Sequence, residues 1–239
     1  MSISSAVGRA FETIGARERD VMRSYADGAI PQYNDVRTEA RTEPSADPLA
    51  VAAPANGLFI VKDERGDQRF TRDGGFTFTN GAVSDRAGRP LLGYHADTGP
   101  LAPLHADPVD VSLGLVRDLR IEADGLVSYA KALVDPKTGA RESHRVTIGR
   151  IALARFPAAS NVHLAGTALI AAPAGVVPHV GRPGDGNFES LILHARERSG
   201  IDIDLSLERL QEAYIAFDAL RAAHKAQGSV EKTSMDLLK

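Results

Sequence analysis

The apolar residues at the start of the chain recur every three or four positions, which is the repeat of an amphipathic helix. They are Ile3, Val7, Phe11, Ile14, Val21, Met22 and Tyr25. Charged residues fall largely between them, and Asp27, Gly28 and Pro31 then interrupt the repeat. The pattern therefore predicts a helix over residues 3–25.

The helical repeat returns near the end of the chain, from about Asp204. Its apolar members are Leu207, Leu210, Tyr214, Phe217 and Leu220. The predicted helix can continue to Leu238, with a weak point at Gly228 because glycine is a poor helix former. Asp202 and Asp204 stand where carboxylates complement the helix dipole, so we expect them to cap the helix rather than to act in catalysis.

Between the two helical segments, short apolar or alternating stretches are separated by glycine, proline and asparagine. The predicted strands cover residues 58–61, 68–71, 76–79, 146–156 and 168–171. Asn80-Gly81 is a strong signal for a two-residue hairpin, since both turn positions require positive φ. Asp124-Gly125, between the strand candidates 120–123 and 126–129, is a second signal of this type.

These patterns predict a mainly β fold with α-helical termini, built around a central all-β module of short strands. We predict an N-terminal stem helix over 1–34, an extended connector over 35–55, the β module over 56–198 and a C-terminal stem helix over 199–239. The connector is predicted from its polar composition and its three prolines.

Each terminal helix has a narrow apolar face, and the pattern leaves its partner open. The two helices could pack on their own β module, or on each other as a hairpin. They could instead form a coiled-coil-like stem that packs against other copies. For that stem the contacting residues would be Val7, Phe11, Ile14, Leu207, Leu210, Tyr214 and Phe217.

Composition narrows the classes of function. The formal net charge of -3 and the lack of a long Lys/Arg run give no reason to expect a nucleic-acid partner. The 239 residues include no cysteine, which excludes disulfides, thiolate catalysis and cysteine-ligated zinc. The sequence has no apolar run long enough to cross a bilayer and does not begin like a secretory signal peptide, so direct membrane insertion is not expected.

The sequence offers no positive case for an enzyme, a cofactor or a metal. Its seven histidines are dispersed, and none has a second histidine at the i, i+4 spacing that suits a metal on one helix face. The glycine-rich stretch 181–187 lacks the lysine of a phosphate-binding loop, so we expect an ordinary loop there. A Gly-x-Ser-x-Gly nucleophile motif is absent.

The segment from Asn56 to Tyr94 resembles the central signature of the bacterial flagellar rod and hook proteins. That family has a Gly-x-Phe-Phe strand, a Tyr-Thr-Arg-x-Gly-x-Phe stretch, a Gly-x-Leu hairpin and a closing Leu-Gly-Tyr. The counterparts in this chain are Gly57, Phe59, Phe70, Thr71, Arg72, Gly74, Phe76, Gly81, Gly88, Leu92, Gly93 and Tyr94. Their order and spacing are fixed, so the resemblance is more specific than a lone glycine motif.

Three further segments resemble the same family, and one departs from it. Residues 119–129 resemble its Ile-x-x-x-Gly-x-Val hairpin, 149–175 its Ala-x-Phe turn, and 197–238 its C-terminal stem, with Ser199, Ile201 and Asp202 matching. The family usually follows its first helix with an Asn- and Thr-rich tract, whereas this chain has SYADGAIPQYNDVR at 24–37.

The resemblance implies a structural subunit of the flagellar rod that assembles axially through its terminal helices and transmits torque. Its implied partners are copies of itself, other axial rod and hook proteins, and the flagellar export apparatus. Its implied location is the periplasmic part of the basal body, reached by type III export without a cleaved signal peptide. The short β core favours a rod protein, with a lean to the proximal rod; a hook-type subunit and a self-contained β-rich binding or adaptor module are the alternatives.

Overall fold

The computed structural model describes residues 3–32, 41–54, 57–95, 99–134, 141–157, 163–164 and 168–237. The chain divides into two compact units. A helical unit consists of Met1–Tyr25, Ile30–Glu39 and Gly200–Lys239, and a β unit consists of Ala26–Ala29 and Ala40–Ser199. Within the described residues the protein is mainly β, with a helix near each terminus, as the sequence predicts.

The two long helices are α1 (Ile3–Arg23) and α3 (Ile203–Leu237). The Asp202 carboxylate accepts a hydrogen bond from the Leu205 amide at 3.0 Å, which confirms the predicted cap of α3. Helix α3 continues through Gly228, while the predicted end at Leu238 lies outside the described residues. Helix α1 ends two residues earlier than predicted, where the Ser24 amide and hydroxyl both bond to carbonyls of its last turn.

The strands of the β unit are short, and a five-residue helix, α2 (Pro108–Ser112), lies among them. In chain order the strands are β1 (Thr42–Pro44), β2 (Val51–Ala52), β3 (Leu58–Lys62), β4 (Gln68–Thr71), β5 (Thr77–Thr79), β6 (Ala82–Ser84), β7 (Leu92–Tyr94), β8 (Ala102–Pro103), β9 (Val116–Ile121), β10 (Leu126–Val134), β11 (Arg141–Ile151), β12 (Leu153–Arg155), β13 (His163–Leu164), β14 (Leu169–Ala171), β15 (His179–Gly181), β16 (Ile192–Leu193) and β17 (Ala195–Glu197).

Two larger sheets form the body of this unit. In one the strand order is β13-β14-β4-β3-β12-β15, and in the other it is β8-β7-β11-β10-β9. The pairs β1-β17, β2-β16 and β5-β6 complete the described sheets. The paired strands are antiparallel throughout these sheets. Pairs such as β3-β12 join residues far apart in sequence. The sheets therefore connect distant parts of the β unit and do not consist of successive hairpins alone.

The first predicted hairpin is confirmed and the second has a different turn. Thr79 pairs with Ala82, and Asn80 and Gly81 have φ of 52° and 82°, the signs that a type I′ turn requires. At the second site only Gly125 has positive φ, and the Glu122 amide bonds to the Leu126 carbonyl across a three-residue loop. The prediction of two positive-φ positions at Asp124-Gly125 was therefore wrong.

The predicted connector is largely part of the β unit. Residues 35–40 and 55 of it lie outside the described residues, but 41–54 contain the short strands β1 and β2. Residues 49–53 are buried, because this stretch reads LAVAA and pairs through β2 with β16. An extended chain of small apolar residues can bury itself as strand, and the polar composition of 35–48 obscured that pattern.

The core of the β unit is built on large apolar side chains from both larger sheets. Phe59 and Phe76 meet edge to face, with ring centroids 4.9 Å apart and an interplanar angle of 86°. Neither ring is exposed to solvent. Complete burial of a side chain of this size contributes about 2 to 3 kcal/mol to folding, so this pair stabilises the unit strongly.

Candidate assembly stem and the Arg72 network

The predicted stem residues of α1 lie in very different environments. Ile14 is buried, Val7 is half-buried and the Phe11 ring is 68% exposed. The narrow apolar face of α1 is therefore only partly covered within the chain.

Helices α1 and α3 pack against each other inside the helical unit. The Phe11 and Phe217 rings lie 6.3 Å apart between centroids, and the Tyr214 hydroxyl donates a hydrogen bond to Glu18 Oε1 at 2.5 Å. Later residues of α1 contact earlier residues of α3, so the helices run antiparallel. The hydrogen bond to the Glu18 carboxylate, more than burial, raises the pKa of Tyr214.

The rest of the predicted α3 face is partly uncovered. Leu210 and Phe217 are half-buried, but Leu207 and Tyr214 are exposed. Ile215, which is not among the predicted stem residues, is 62% exposed. Residues 221–230 are exposed along the whole helix surface. A helix of 35 residues is about 52 Å long and one of 21 residues about 31 Å, so α3 extends well beyond the length that α1 can cover.

A buried ion pair of α1 was not predicted. Asp20 is fully buried and accepts a hydrogen bond from the Gln32 amide at 2.8 Å, while its carboxylate lies 3.5 Å from the Arg23 guanidinium. Burial lowers the pKa of Arg23, and Asp20 opposes that shift. The i, i+3 spacing of the two charges was the available signal, but it looks the same on a solvated helix face.

Arg72, a residue of the flagellar signature, is the centre of a polar network in the β unit. Its guanidinium forms a bidentate ion pair with the Glu197 carboxylate, with Nε and Oε1 2.5 Å apart and a second contact between Nη2 and Oε2. It also donates to the carbonyls of Gly57 at 2.8 Å, Pro54 at 3.2 Å and Ala53 at 3.4 Å. One side chain thus ties the chain before β3 to the end of β17.

Several other signature residues surround this network, each with a geometric reason for its identity. A Cβ atom at Gly57 would stand 3.2 Å from Pro54 and 3.3 Å from Leu153, and one at Gly74 would overlap the Val51 carbonyl oxygen. Thr71 Oγ1 accepts a hydrogen bond from the Asp73 amide at 3.0 Å. With Phe59 and Phe76, these residues form one connected structural cluster.

The remaining signature residues lie elsewhere in the β unit. A Cβ atom at Gly93 would overlap the Arg150 carbonyl where β7 pairs with β11. The Arg182 guanidinium lies 5.1 Å from the centroid of the Tyr94 ring, which is a cation–π contact. Gly81 lies in the β5-β6 turn, where its Cβ position is 2.8 Å from a Val111 methyl.

Glu197 is the signature partner that the sequence did not reveal. It lies in the segment that resembles the C-terminal stem motif, 125 residues after Arg72. The available sequence signal for this pair was weak: of the segments that resemble the same family, one carries Arg72 and another carries Glu197, which have opposite charges.

The glycine-rich stretch 181–187 is a loop from Arg182 onwards, as predicted, and its first residue, Gly181, ends β15. Asp185 Oδ1 accepts hydrogen bonds from the amides of Asn187 and Phe188, and Oδ2 from Arg182. Burial opposes ionisation of the Asp185 carboxyl, but these amides together hold its pKa below the usual value. The carboxylate thus takes up the amides that a bound anion would need.

Chemistry-bearing side chains elsewhere show no metal-binding arrangement in the part of the chain that the structure describes. The His95 and His105 rings lie 5.9 Å apart, but no group of three or more His, Asp or Glu residues there could hold an ion. Among the described helices, none combines the length and apolarity needed to cross a bilayer.

Comparison with known proteins does not place the chain in a family. No family model matches the sequence, and no curated protein is significantly similar to it.

Proposed function

We propose that this protein is a structural subunit of the bacterial flagellar rod, which assembles axially through its terminal helices. The resemblance of residues 56–94 supplies the family. The observation that supports assembly most directly is the apolar surface left on the paired helices, above all Phe11 and Ile215. Complete burial of such a side chain lowers the free energy by about 1.5 to 3 kcal/mol. A second copy of the chain can bury these side chains by packing against them.

The length of α3 also supports assembly through the terminal helices. Its residues 221–230 contact no other element closely enough to be covered, and a single helical segment of this length is marginal in water. In an axial assembly, neighbouring stems would cover this part of α3. The coiled-coil-like stem is therefore part of the proposal rather than of the observed fold.

The signature cluster has a separate role in this proposal. Arg72, Gly74 and the Phe59–Phe76 pair hold the β unit together and carry no reactive group arranged for catalysis. They would make the β unit the rigid part of the subunit, while the stem would be its self-associating part. A proximal rod position is favoured by the short β core, and a hook-type subunit is the nearest alternative.

A self-contained β-rich adaptor is the second candidate, and the Phe11–Phe217 contact favours it. A helical hairpin formed within one chain needs no neighbour. The two candidates differ in what the exposed face does. In the adaptor, Ile215 is a tolerated surface residue; in the rod subunit it is an interface residue.

The test is Ile215→Asp, compared with Val177→Asp, which places the same charge on an apolar residue of the β unit that is 84% exposed. Sedimentation velocity at high concentration should show that the wild type and Val177→Asp self-associate and that Ile215→Asp does not. Motility of the strain should fail for Ile215→Asp alone, with an unchanged melting temperature of the β unit. A wild-type protein that stays monomeric, together with normal motility for Ile215→Asp, would reject the stem.

A further inference from the structure

The two ends of the long β-unit segment are joined directly. Strand β1 begins this segment and β17 ends it, and the two pair antiparallel with Thr42 opposite Glu197. Beyond the pair, the Arg198 amide donates to the Arg41 carbonyl at 2.8 Å. The long segment therefore leaves the β unit beside the point at which it enters.

This geometry is weak against tension unless it is reinforced. When the ends of an antiparallel pair are pulled apart, its hydrogen bonds break one after another from the pulled end. Here the pulled end is Arg41–Arg198, and the added contacts are at that point. The Arg198 guanidinium lies 2.8 Å from the Glu43 carboxylate and 3.3 Å from Asp27.

Asp27 belongs to a third chain stretch, 26–29, which packs in the β unit separately from the residues around it in sequence. Its carboxylate is nearly buried and bonds to Arg86 at 2.7 Å as well as to Arg198. An exposed ion pair alone contributes little, but one buried carboxylate shared by two arginines couples both contacts.

Gly28 adds a backbone bond to the same strand. Its amide donates to the Glu197 carbonyl at 2.9 Å, and its φ of 65° is in the left-handed region. A Cβ atom there would overlap the backbone nitrogen of Asp73, so the close approach requires glycine. Glu197 is thus held by β1, by Gly28 through its carbonyl and by Arg72 through its carboxylate.

We infer that Asp27, Gly28, Arg72, Glu197 and Arg198 form a terminal clasp, a local cooperative unit that holds the two ends of the β unit together and opens before the core. The clasp sets the resistance of the β unit to tension applied between its ends. It unites residues 26–29, the start of β1 and the end of β17, so loss of one member weakens the others. All five residues lie in one chain, so the clasp does not require assembly into a rod.

Native-state amide hydrogen exchange on the full chain tests it, because local opening is measured bond by bond. The Gly28 and Arg198 amides report the clasp, and the Val83 and Leu91 amides report the core. In Asp27→Asn, we expect exchange at Gly28 and Arg198 to accelerate together by about tenfold, because the substitution removes the carboxylate charge from the contacts with both Arg86 and Arg198. Exchange at Val83 and Leu91 should not change.

The matched control is Asp118→Asn, which removes a carboxylate paired with Arg120 and Arg145 on a different sheet. It should leave the Gly28 and Arg198 amides unchanged. If Asp27→Asn accelerates only one of the two clasp amides, neither of them, or the core amides equally, the clasp is not a cooperative unit and the inference fails.

A second measurement addresses tension itself. The full chain is pulled between its termini, and the force at which the β unit first opens is measured. Asp27→Asn should lower this force, whereas Asp118→Asn should not. The reason is that forced opening follows the unfolding rate of the element under load. Equal opening forces for wild type and Asp27→Asn would show that the clasp carries no tension.

Discussion

Gly74 and Val51 are in direct backbone contact at the edge of the β core. The Val51 amide donates a hydrogen bond to the Gly74 carbonyl at 3.1 Å, and any Cβ atom on Gly74 would overlap the Val51 carbonyl oxygen. Phe59 closes the same space from the core side, with a ring carbon 3.1 Å from that Cβ position. The absence of a side chain at position 74 is therefore what allows β2 to lie against the signature segment.

Gly74→Ala should destabilise the β unit by about 3 kcal/mol or more, because backbone rather than a flexible side chain must move. Thermal unfolding followed by circular dichroism measures this loss. Gly99→Ala is the matched control, since among the described residues beyond its chain neighbours no atom lies within 4 Å of its Cβ position, and its φ is not in the left-handed region. Similar melting temperatures for the two variants would contradict the Gly74–Val51 contact.

Gly81→Val should cost at least about 1 kcal/mol, because a β-branched residue is strained at positive φ and the new side chain would also meet Val111. Asn80→Gly keeps a residue that tolerates positive φ and should change stability far less. Urea unfolding of both variants separates the two effects. If Gly81→Val unfolds at the wild-type urea concentration, the type I′ turn is wrongly assigned.

The β5-β6 turn was predictable because its determinants are adjacent in sequence. Asn80-Gly81 specifies positive φ at both positions whatever the rest of the chain does, and the structure has that turn. The helical repeats of α1 and α3 are local in the same sense. Even so, Asp124-Gly125 shows the limit: the same two-residue signal gave a longer loop, because the pairing of β9 with β10 sets the register.

Long-range pairing was not predictable from these patterns. Nothing local in residues 41–54 indicates that β1 will meet β17 or that β2 will meet β16. The same holds for Arg72 and Glu197, whose ion pair depends on the chain returning to the same place after more than a hundred residues. A charged residue in a motif reveals its partner only once the sheet order is known.

Burial of charge was the other failure of the sequence patterns. The helical repeat gave no indication that Asp20 or Asp27 is buried, yet both are buried and paired. Helical periodicity separates apolar from polar faces, so it assigns every carboxylate to solvent unless a partner is known.

Asp20→Ala should destabilise the helical unit by about 3 kcal/mol, because it leaves the Arg23 guanidinium buried without its carboxylate and the Gln32 amide without its acceptor. Asp20→Asn retains an acceptor for the amide and should cost less. Helix content measured by circular dichroism during urea unfolding distinguishes the two. Equal losses for Ala and Asn would mean that the Gln32 contact contributes nothing.

Asp73→Asn should stabilise the β unit at neutral pH. Burial raises the pKa of Asp73, the Gly75 amide and Arg86 offset this in part, and the Asp27 and Asp85 carboxylates add to the rise. A carboxyl with a raised folded-state pKa favours folding below its unfolded value, and that stability is lost as pH rises through the folded value. The amide keeps an oxygen for the Gly75 amide, so Asp73→Asn should have a higher Tm at pH 7 and a flatter Tm between pH 4 and 7. A lower Tm at pH 7 would contradict this.

The Tyr129 hydroxyl, buried beneath α2, should make the β unit sensitive to alkali. It donates to Asp110 Oδ2 at 2.6 Å, and the Lys131 ammonium lies 2.6 Å from Oδ1 of the same carboxylate. Burial first, and then the hydrogen bond to Asp110, raise the pKa of Tyr129 to about 12. The Lys131 and Tyr129 hydrogen bonds hold the pKa of Asp110 below its usual value, so this carboxylate stays charged and keeps the phenol protonated.

The raised pKa fixes the sign of the pH dependence. The neutral phenol favours the folded state fully below pH 10, and its contribution of about 2 kcal/mol is lost as pH rises from 10 towards 12. Tyr129→Phe keeps the ring in the core but removes the proton and the hydrogen bond, so it should cost about 1 to 2 kcal/mol at pH 8. Above pH 10 its stability should fall less steeply than that of the wild type.

Urea unfolding at pH 8, 10 and 11, with Tyr94→Phe as a control at a partly exposed tyrosine, measures both effects. Parallel loss of stability in wild type and Tyr129→Phe between pH 10 and 11 would show that another group causes the alkaline sensitivity.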